Sequence, residues 1–179
     1  MNRVRIIGGS HRRRIVDFPD AEGLRPTPDR VRETLFNWLG QDLSGRRCLD
    51  LFAGSGALGM EASSRGAAQV VMVERNRMVF KVLQENIKKL ALPNMALRNE
   101  DGLEFAVRCK EQFDVIFLDP PFQSDYLSRL WPLMAGLLVP DGMLYVESGS
   151  AVTPPAPWQA IKQGKAGAVH YQLFKRETE

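Results

Sequence analysis

At 179 residues, 44% hydrophobic and 25% charged, the chain has the balance of an ordinary globular domain and enough length for one sizeable core, which excludes fibrous, low-complexity and disordered classes. No apolar run approaches the ~20 residues of a membrane span, and residues 1–10 carry no signal-peptide core, so no membrane partner and a cytoplasmic location are expected. The net charge of +3 is uneven: residues 1–32 hold eight Arg and no Lys against four acids, a net +4 that leaves −1 for the remainder. A basic arm on a near-neutral domain predicts an anionic partner, and Arg suits bidentate phosphate contact.

The first elements are short β-like runs at residues 4–7 and 14–18 around Gly8-Gly9-Ser10. They predict a hairpin carrying His11, Arg12, Arg13 and Arg14, with glycines that let a ligand backbone come close. Residues 24–29 lead into a helix over 28–40. Thr27 is the expected N-cap, Pro28 the first helical residue, and Asp29 a favourable charge at the positive helix end. Val31, Leu35, Trp38 and Leu39 recur at helical spacing as the core face, with Arg30, Glu33 and Asn37 opposite. The turn before this helix could close over a cofactor or substrate.

From residue 46 the pattern alternates. Strands are expected at 48–52, 70–74, 95–98, 115–119 and 143–147, with helices at 57–65, 76–90, 102–110 and 126–138. Such alternation predicts a doubly wound parallel sheet. Two closing strands, 158–162 and 168–175, have no strong helix between them and predict an antiparallel hairpin edge. The chain divides into an extension, residues 1–40, and one compact unit, 41–179. Cys48 and Cys109 lie in apolar surroundings without a metal-like cluster, so buried thiols are expected and no metal.

Two constellations carry chemistry. The first is Gly54, Gly56 and Gly59 in the G-x-G-x-x-G spacing, leaving one strand and entering a helix. Glu74 closes the next strand, where a carboxylate can accept both ribose hydroxyls of a nucleotide-like cofactor. The same spacing serves NAD, whose pyrophosphate would take the helix N-terminus. S-adenosylmethionine has no phosphate but has an α-amino group that wants acceptors. Acids follow each of the first four strands, at Asp50, Glu74, Asp101 and Asp119, which favours S-adenosylmethionine. Asp50 would serve the amino group and Asp101 the adenine, unless Asp101 is only a helix N-cap.

The second is Asp119-Pro120-Pro121-Phe122, which ends the fourth strand because proline cannot continue a ladder. An Asp119 carboxylate and the Pro120 carbonyl offer two acceptors for an exocyclic NH2, and Phe122 a face for a base. The tetrad resembles the (Asp/Asn)-Pro-Pro-(Tyr/Phe) motif of amino-methyltransferases.

Over nearly its whole length the chain resembles the RsmD family of bacterial small-subunit ribosomal RNA guanine-N2 methyltransferases. The resemblance rests on Ile6-Ile7-Gly8-Gly9 with its Arg cluster, Leu24-Arg25-Pro26-Thr27, Arg30-Val31-Arg32-Glu33 through Asn37, residues 49–59, Glu74, Asn86, Asp101 and residues 119–122. One departure is the uninterrupted Arg12-Arg13-Arg14, where the pattern often has a small residue. The resemblance implies an α/β, Rossmann-like class I S-adenosylmethionine-dependent methyltransferase. Its sheet would be seven-stranded and mostly parallel with an antiparallel final strand, preceded by a small hairpin-and-helix extension. It implies methylation of the N2 amino group of one guanine in 16S ribosomal RNA, within an assembling or assembled 30S particle. Asp119, Pro120, Pro121 and Phe122 are then the catalytic candidates, and Asp50, Phe52, Gly54, Gly56, Glu74 and Asp101 the cofactor candidates. Arg12, Arg13, Arg14, Arg25 and Arg30 are the RNA candidates. The nearest alternative is a DNA adenine or cytosine amino-methyltransferase. A glutamine amide methyltransferase, a binding-only protein and a dehydrogenase of related fold are the others.

Overall fold

The computed structural model describes residues 2–21, 24–121 and 125–177. The chain opens with a hairpin of β1 (Asn2–Arg5) and β2 (Ile15–Phe18), with Val4 opposite Val16, followed by α1 (Asp29–Trp38). The alternating section runs β3 (Arg47–Asp50), α2 (Ala57–Ser64), β4 (Gln69–Val73), α3 (Arg77–Leu90), β5 (Met95–Arg98), α4 (Gly102–Arg108), β6 (Phe113–Leu118), α5 (Tyr126–Leu137) and β7 (Leu138–Ser148). β8 (Trp158–Ala166) and β9 (Val169–Arg176) close the chain as a hairpin.

The second sheet is seven-stranded, in the order β5-β4-β3-β6-β7-β9-β8. β3 to β7 pair in parallel, and β9 runs antiparallel to both neighbours. The chain winds outward from β3 to β5, then returns to β6 on the other side of β3. The carboxyl ends of β3 and β6 are therefore the switch point, where an open α/β sheet has its ligand crevice. This is the class I methyltransferase arrangement expected from the sequence, including the antiparallel closing hairpin.

Both sheet faces are covered, so the strands are apolar on both sides. In β6, Val115 and Phe117 pack with Phe36, Met60 and Leu83 from α1, α2 and α3, while Ile116 and Leu118 pack with Leu103, Leu130 and Met134 from α4 and α5. The extension shares the first of these clusters: Val4, Ile6, Val16, Phe18, Val31, Leu35 and Phe36 are all buried in it. Cys48 is a fully buried thiol pushed up to about 12 by burial, and Cys109 is half-buried.

A buried carboxylate fixes the extension to the sheet domain. Glu61, in α2, accepts hydrogen bonds from the backbone N–H of Ile7 and Gly8, from Arg32 and from Arg65. Arg32 also donates to the carbonyls of Thr27 and Arg5 and pairs with Asp29. It was counted in the basic arm, yet its side chain is 1% exposed; its charge is spent inside the protein. The core face of α1 includes Phe36, beneath the Arg65 guanidinium, while Trp38 is only half-buried and stacks on Tyr171.

Gly8 and Gly9 have a structural reason. A Cβ on Gly9 (φ +79°) would lie 1.9 Å from the Ser64 carbonyl oxygen, and one on Gly8 2.7 Å from Arg65. They let the hairpin lie against the C-terminal end of α2. Ser10 and His11 continue the contact, His11 reaching the Leu90 carbonyl at the C-terminus of α3.

Candidate active site

Four acids converge on the carboxyl ends of the central strands. Asp50 ends β3, Glu74 follows β4, Asp119 follows β6, and Glu147 lies near the end of β7. The register opposes Leu118 to Val146, so Asp119 and Glu147 leave their strands side by side.

The glycine loop lies beside them. Gly54 (φ +55°) and Gly56 (φ +84°) occupy the left-handed region that side chains avoid, which gives the tight turn from β3 into α2. Gly56 is the residue preceding α2 and has no side chain to cap it; Asp50 accepts from the Gly59 N–H at 3.1 Å instead. Asp50 is buried, and burial raises its carboxyl to about 7, opposed by the Gly59 bond and reinforced by Glu74 and Glu147. Glu74 accepts from the N–H of Gly54 at 3.0 Å and of Asn76 at 2.7 Å, so it shapes the loop as well as facing its mouth.

Next to this loop is a second wall. Asp101 caps α4 through the Glu104 N–H and accepts from the Tyr126 hydroxyl at 2.7 Å, which in turn meets Phe52 edge-on at 5.3 Å. A Cβ on Gly102 would lie 2.6 Å from the Leu51 carbonyl and 3.1 Å from the Phe52 ring, so only glycine lets these segments close up. Asp101 thus caps α4, and its oxygens keep a lone pair each for another donor.

At the lip of β6, Asp119 is half-buried and Pro120 buried. Phe122 lies outside the described residues. The Asp119 carboxyl hydrogen-bonds to Glu147, and Glu147 Oε1 accepts from the hydroxyls of Thr27 and Tyr145, both at 2.7 Å. Burial pushes both carboxyls up. At Asp119 the charges of Glu147 and Asp50 add to that, whereas at Glu147 the donors Thr27, Tyr145 and Asp119 oppose it. The proton shared by the pair therefore rests on Asp119, which keeps one oxygen as an acceptor.

Thr27 is not the cap of α1. Pro28 occupies that position, its carbonyl accepting from Arg32, and the Thr27 hydroxyl is turned across to Glu147. Leu24 lies over the glycine loop, close enough that a Gly54 Cβ would come within 2.9 Å of it. The segment before α1 thus contacts the site at two points, Leu24 at the glycine loop and Thr27 at Glu147.

The residues fit S-adenosylmethionine. The side chains are of the kinds that cofactor calls for: Asp50 could accept from its amino group, Glu74 from its diol, and Phe52 with Asp101 could offer an aromatic face and an acceptor to its adenine, around a loop that a Cβ would fill. Sequence reasoning missed Glu147, Tyr145 and Tyr126; only the acid at the end of the fifth strand signalled Glu147.

The five Arg assigned to RNA are exposed, and among the described residues none forms an ion pair or side-chain hydrogen bond; Arg3, Arg5 and Arg32 pair with Asp17, Asp29 and Glu61. They fall into two groups. Arg25 and Arg30 flank Thr27 in sequence. Arg12, Arg13 and Arg14 follow His11 at the C-terminus of α3, whose N-cap Asn76 adjoins Glu74. The fourteen residues of α3 put its own two ends about 20 Å apart at 1.5 Å per residue.

The family described as Conserved hypothetical protein 95 matches residues 4–175. Ribosomal RNA small subunit methyltransferase D of Escherichia coli (strain K12) is 41% identical over 99% of this chain and 92% of its own length. The chain belongs to this family. The protein of the same name from Haemophilus influenzae is 39% identical over 96% of this chain and 93% of its own. The solved structure of the putative methyltransferase yhhF from Escherichia coli superposes with a TM-score of 0.90 at 41% identity, covering 99% of this chain and 100% of that one. The match includes the extension as well as the sheet domain, as the sequence resemblance implied.

Proposed function

We propose that this protein transfers a methyl group from S-adenosylmethionine to the N2 amino group of a guanine in small-subunit ribosomal RNA, presented in an assembling or assembled 30S particle in the cytoplasm. The observation that carries the reading is the Asp119-Pro120 lip beside a glycine loop and acid set suited to the cofactor, in a chain of this family.

The cofactor brings a methyl group already activated on a sulfonium, so the protein's task is alignment of an in-line attack. The guanine amino lone pair is delocalised into the ring. The free oxygen of Asp119 and the Pro120 carbonyl accept its two N–H bonds, hold the nitrogen more pyramidal and turn the lone pair toward the crevice. Phe122 stacks on the base, which has to leave its RNA stack to enter. Arg25 and Arg30 take phosphates on either side of Thr27, and Arg12, Arg13 and Arg14 take phosphates near the C-terminal end of α3. Two such anchors suit a large folded RNA.

The test supplies labelled S-adenosylmethionine separately with small-subunit particles, DNA and protein, followed by nucleoside digestion and mass analysis. Label is expected in N2-methylguanosine from particles, and Asp119→Ala should abolish it while leaving cofactor affinity by calorimetry unchanged. Label in DNA or protein, or on another RNA atom, overturns the reading.

A further inference from the structure

The carboxyl at the lip is not held by its own strand. Glu147 is 4% exposed, too buried to meet a substrate, and its carboxylate joins three elements. Asp119 reaches it from the end of β6, Tyr145 from its own strand at 2.7 Å, and Thr27 at 2.7 Å from the segment before α1, 120 residues away in sequence. That segment also lays Leu24 on the glycine loop, and its Thr27 carbonyl is fixed by buried Arg32.

We propose that Glu147 is the positioning residue of the reaction: it orients the Asp119 carboxyl, and the Thr27 hydroxyl makes that orientation depend on the segment before α1. This rests on the function proposed above. A carboxyl beside two prolines can still rotate about its own side-chain bonds. With one oxygen tied to Glu147, the other is fixed as the acceptor for the amine N–H. Glu147 is itself fixed because Oε1 takes two hydroxyl hydrogens, from Thr27 and Tyr145. When the segment moves away, the Thr27 bond breaks, charge on Glu147 is less well held, and the shared proton shifts from Asp119 toward Glu147. The groups facing this pair are Asp50, Thr27 and Tyr145; Glu74 acts on Asp50, and Arg32 holds the Thr27 carbonyl.

The experiment compares wild type with Glu147→Gln, Thr27→Val, Thr27→Ser and the double variant Thr27→Val/Glu147→Gln. It measures kcat and KM on small-subunit particles against pH, S-adenosylmethionine affinity by calorimetry, thermal unfolding, and carbon-detected NMR titration of the Asp119 carboxyl. Glu147→Gln should lower kcat by about 100-fold, the scale of a 1 Å misplacement, with cofactor affinity within about twofold of wild type. Removing the neighbouring charge lowers the Asp119 titration point, so both the NMR curve and any kcat limb it governs move to lower pH. Thr27→Val should lose roughly tenfold in kcat for one hydrogen bond, Thr27→Ser should restore it, and the double variant should be no worse than Glu147→Gln. Near-wild-type kcat with an unmoved profile in Glu147→Gln, or additive losses that serine does not rescue, overturns the proposal. If Glu147→Gln does not fold, the Thr27 pair decides, since both keep the carboxylate. If wild type methylates no particle, the function reading fails, while the Asp119 titration still judges the link; an unchanged titration in Glu147→Gln and Thr27→Val rejects it.

Discussion

Replacing Glu61 tests how the extension is attached. Its carboxylate is fully buried, with Oε1 accepting from Ile7 N–H at 2.8 Å and Arg32 at 3.2 Å, and Oε2 from Gly8 N–H and Arg65 at 3.0 Å each. Glu61→Gln keeps the shape but offers a single oxygen. Whichever way the amide turns, its NH2 faces two donors, one a backbone N–H and one a guanidinium. Removing one partner of a buried ion pair costs about 3–5 kcal/mol, and an orphaned buried N–H about 1–3 kcal/mol. Arg32 keeps Asp29 and two carbonyls, and Arg65 keeps the Phe36 ring at 4.9 Å, which argues for the lower part of the combined range. The expected loss is about 4 kcal/mol for Gln, a fall in Tm of roughly 8–16 °C for a chain of this size, and more for Ala, which leaves all four donors without their acceptor. Urea unfolding followed by circular dichroism, with an unchanged slope, measures it. A Glu61→Gln protein within about 1 kcal/mol of wild type would show that the four bonds contribute little net and refute the reasoning.

Three further outcomes are expected. Glu74→Ala should weaken S-adenosylmethionine binding by about 1–3 kcal/mol in calorimetry, because it removes the ribose acceptors and also frees the Gly54 and Asn76 N–H groups; unchanged affinity in a folded variant excludes the ribose assignment. Replacing Arg12, Arg13 and Arg14 with Ala should weaken particle binding, leave cofactor affinity alone and flatten the log–log salt slope by about 0.7 per lost phosphate contact on single-stranded RNA; a wild-type slope and affinity return these side chains to a solvated surface. Asp50 bears on pH: its folded carboxyl is raised to about 7, so the folded state holds a proton the unfolded state releases, and stability from this group falls as pH rises from the ordinary aspartate range through about 7. Asp50→Asn, which can still accept from Gly59, should remove that decline and be the more stable protein at pH 8. Wild-type cofactor affinity should rise from pH 6 to 8 as Asp50 ionises against the amino group, and a flat profile identical to that of the variant rejects the pairing.

Several features of this chain are local and therefore legible in its sequence. The continuous apolar run of β6, helical spacing in α1, the glycines that enter α2 and the prolines that stop β6 each follow from backbone preference within a few residues, and together they place Asp50, Glu74 and Asp119 on strand ends before any packing is known. Tertiary structure decided the rest. Arg32 reads as one more cation in a basic arm, but Glu61 gives it a buried partner 29 residues away. Gly8-Gly9 reads as a ligand-approach loop, and the end of α2 packs against it. Thr27 has the composition of a helix cap, yet its hydroxyl gains more from a buried carboxylate on β7 than from a solvent-facing N–H on its own helix. In each case the residue had two satisfactory settings, one near in sequence and one distant. Sequence displays the near one, while the burial that makes the distant one stronger exists only after the sheet and its covering layers have come together.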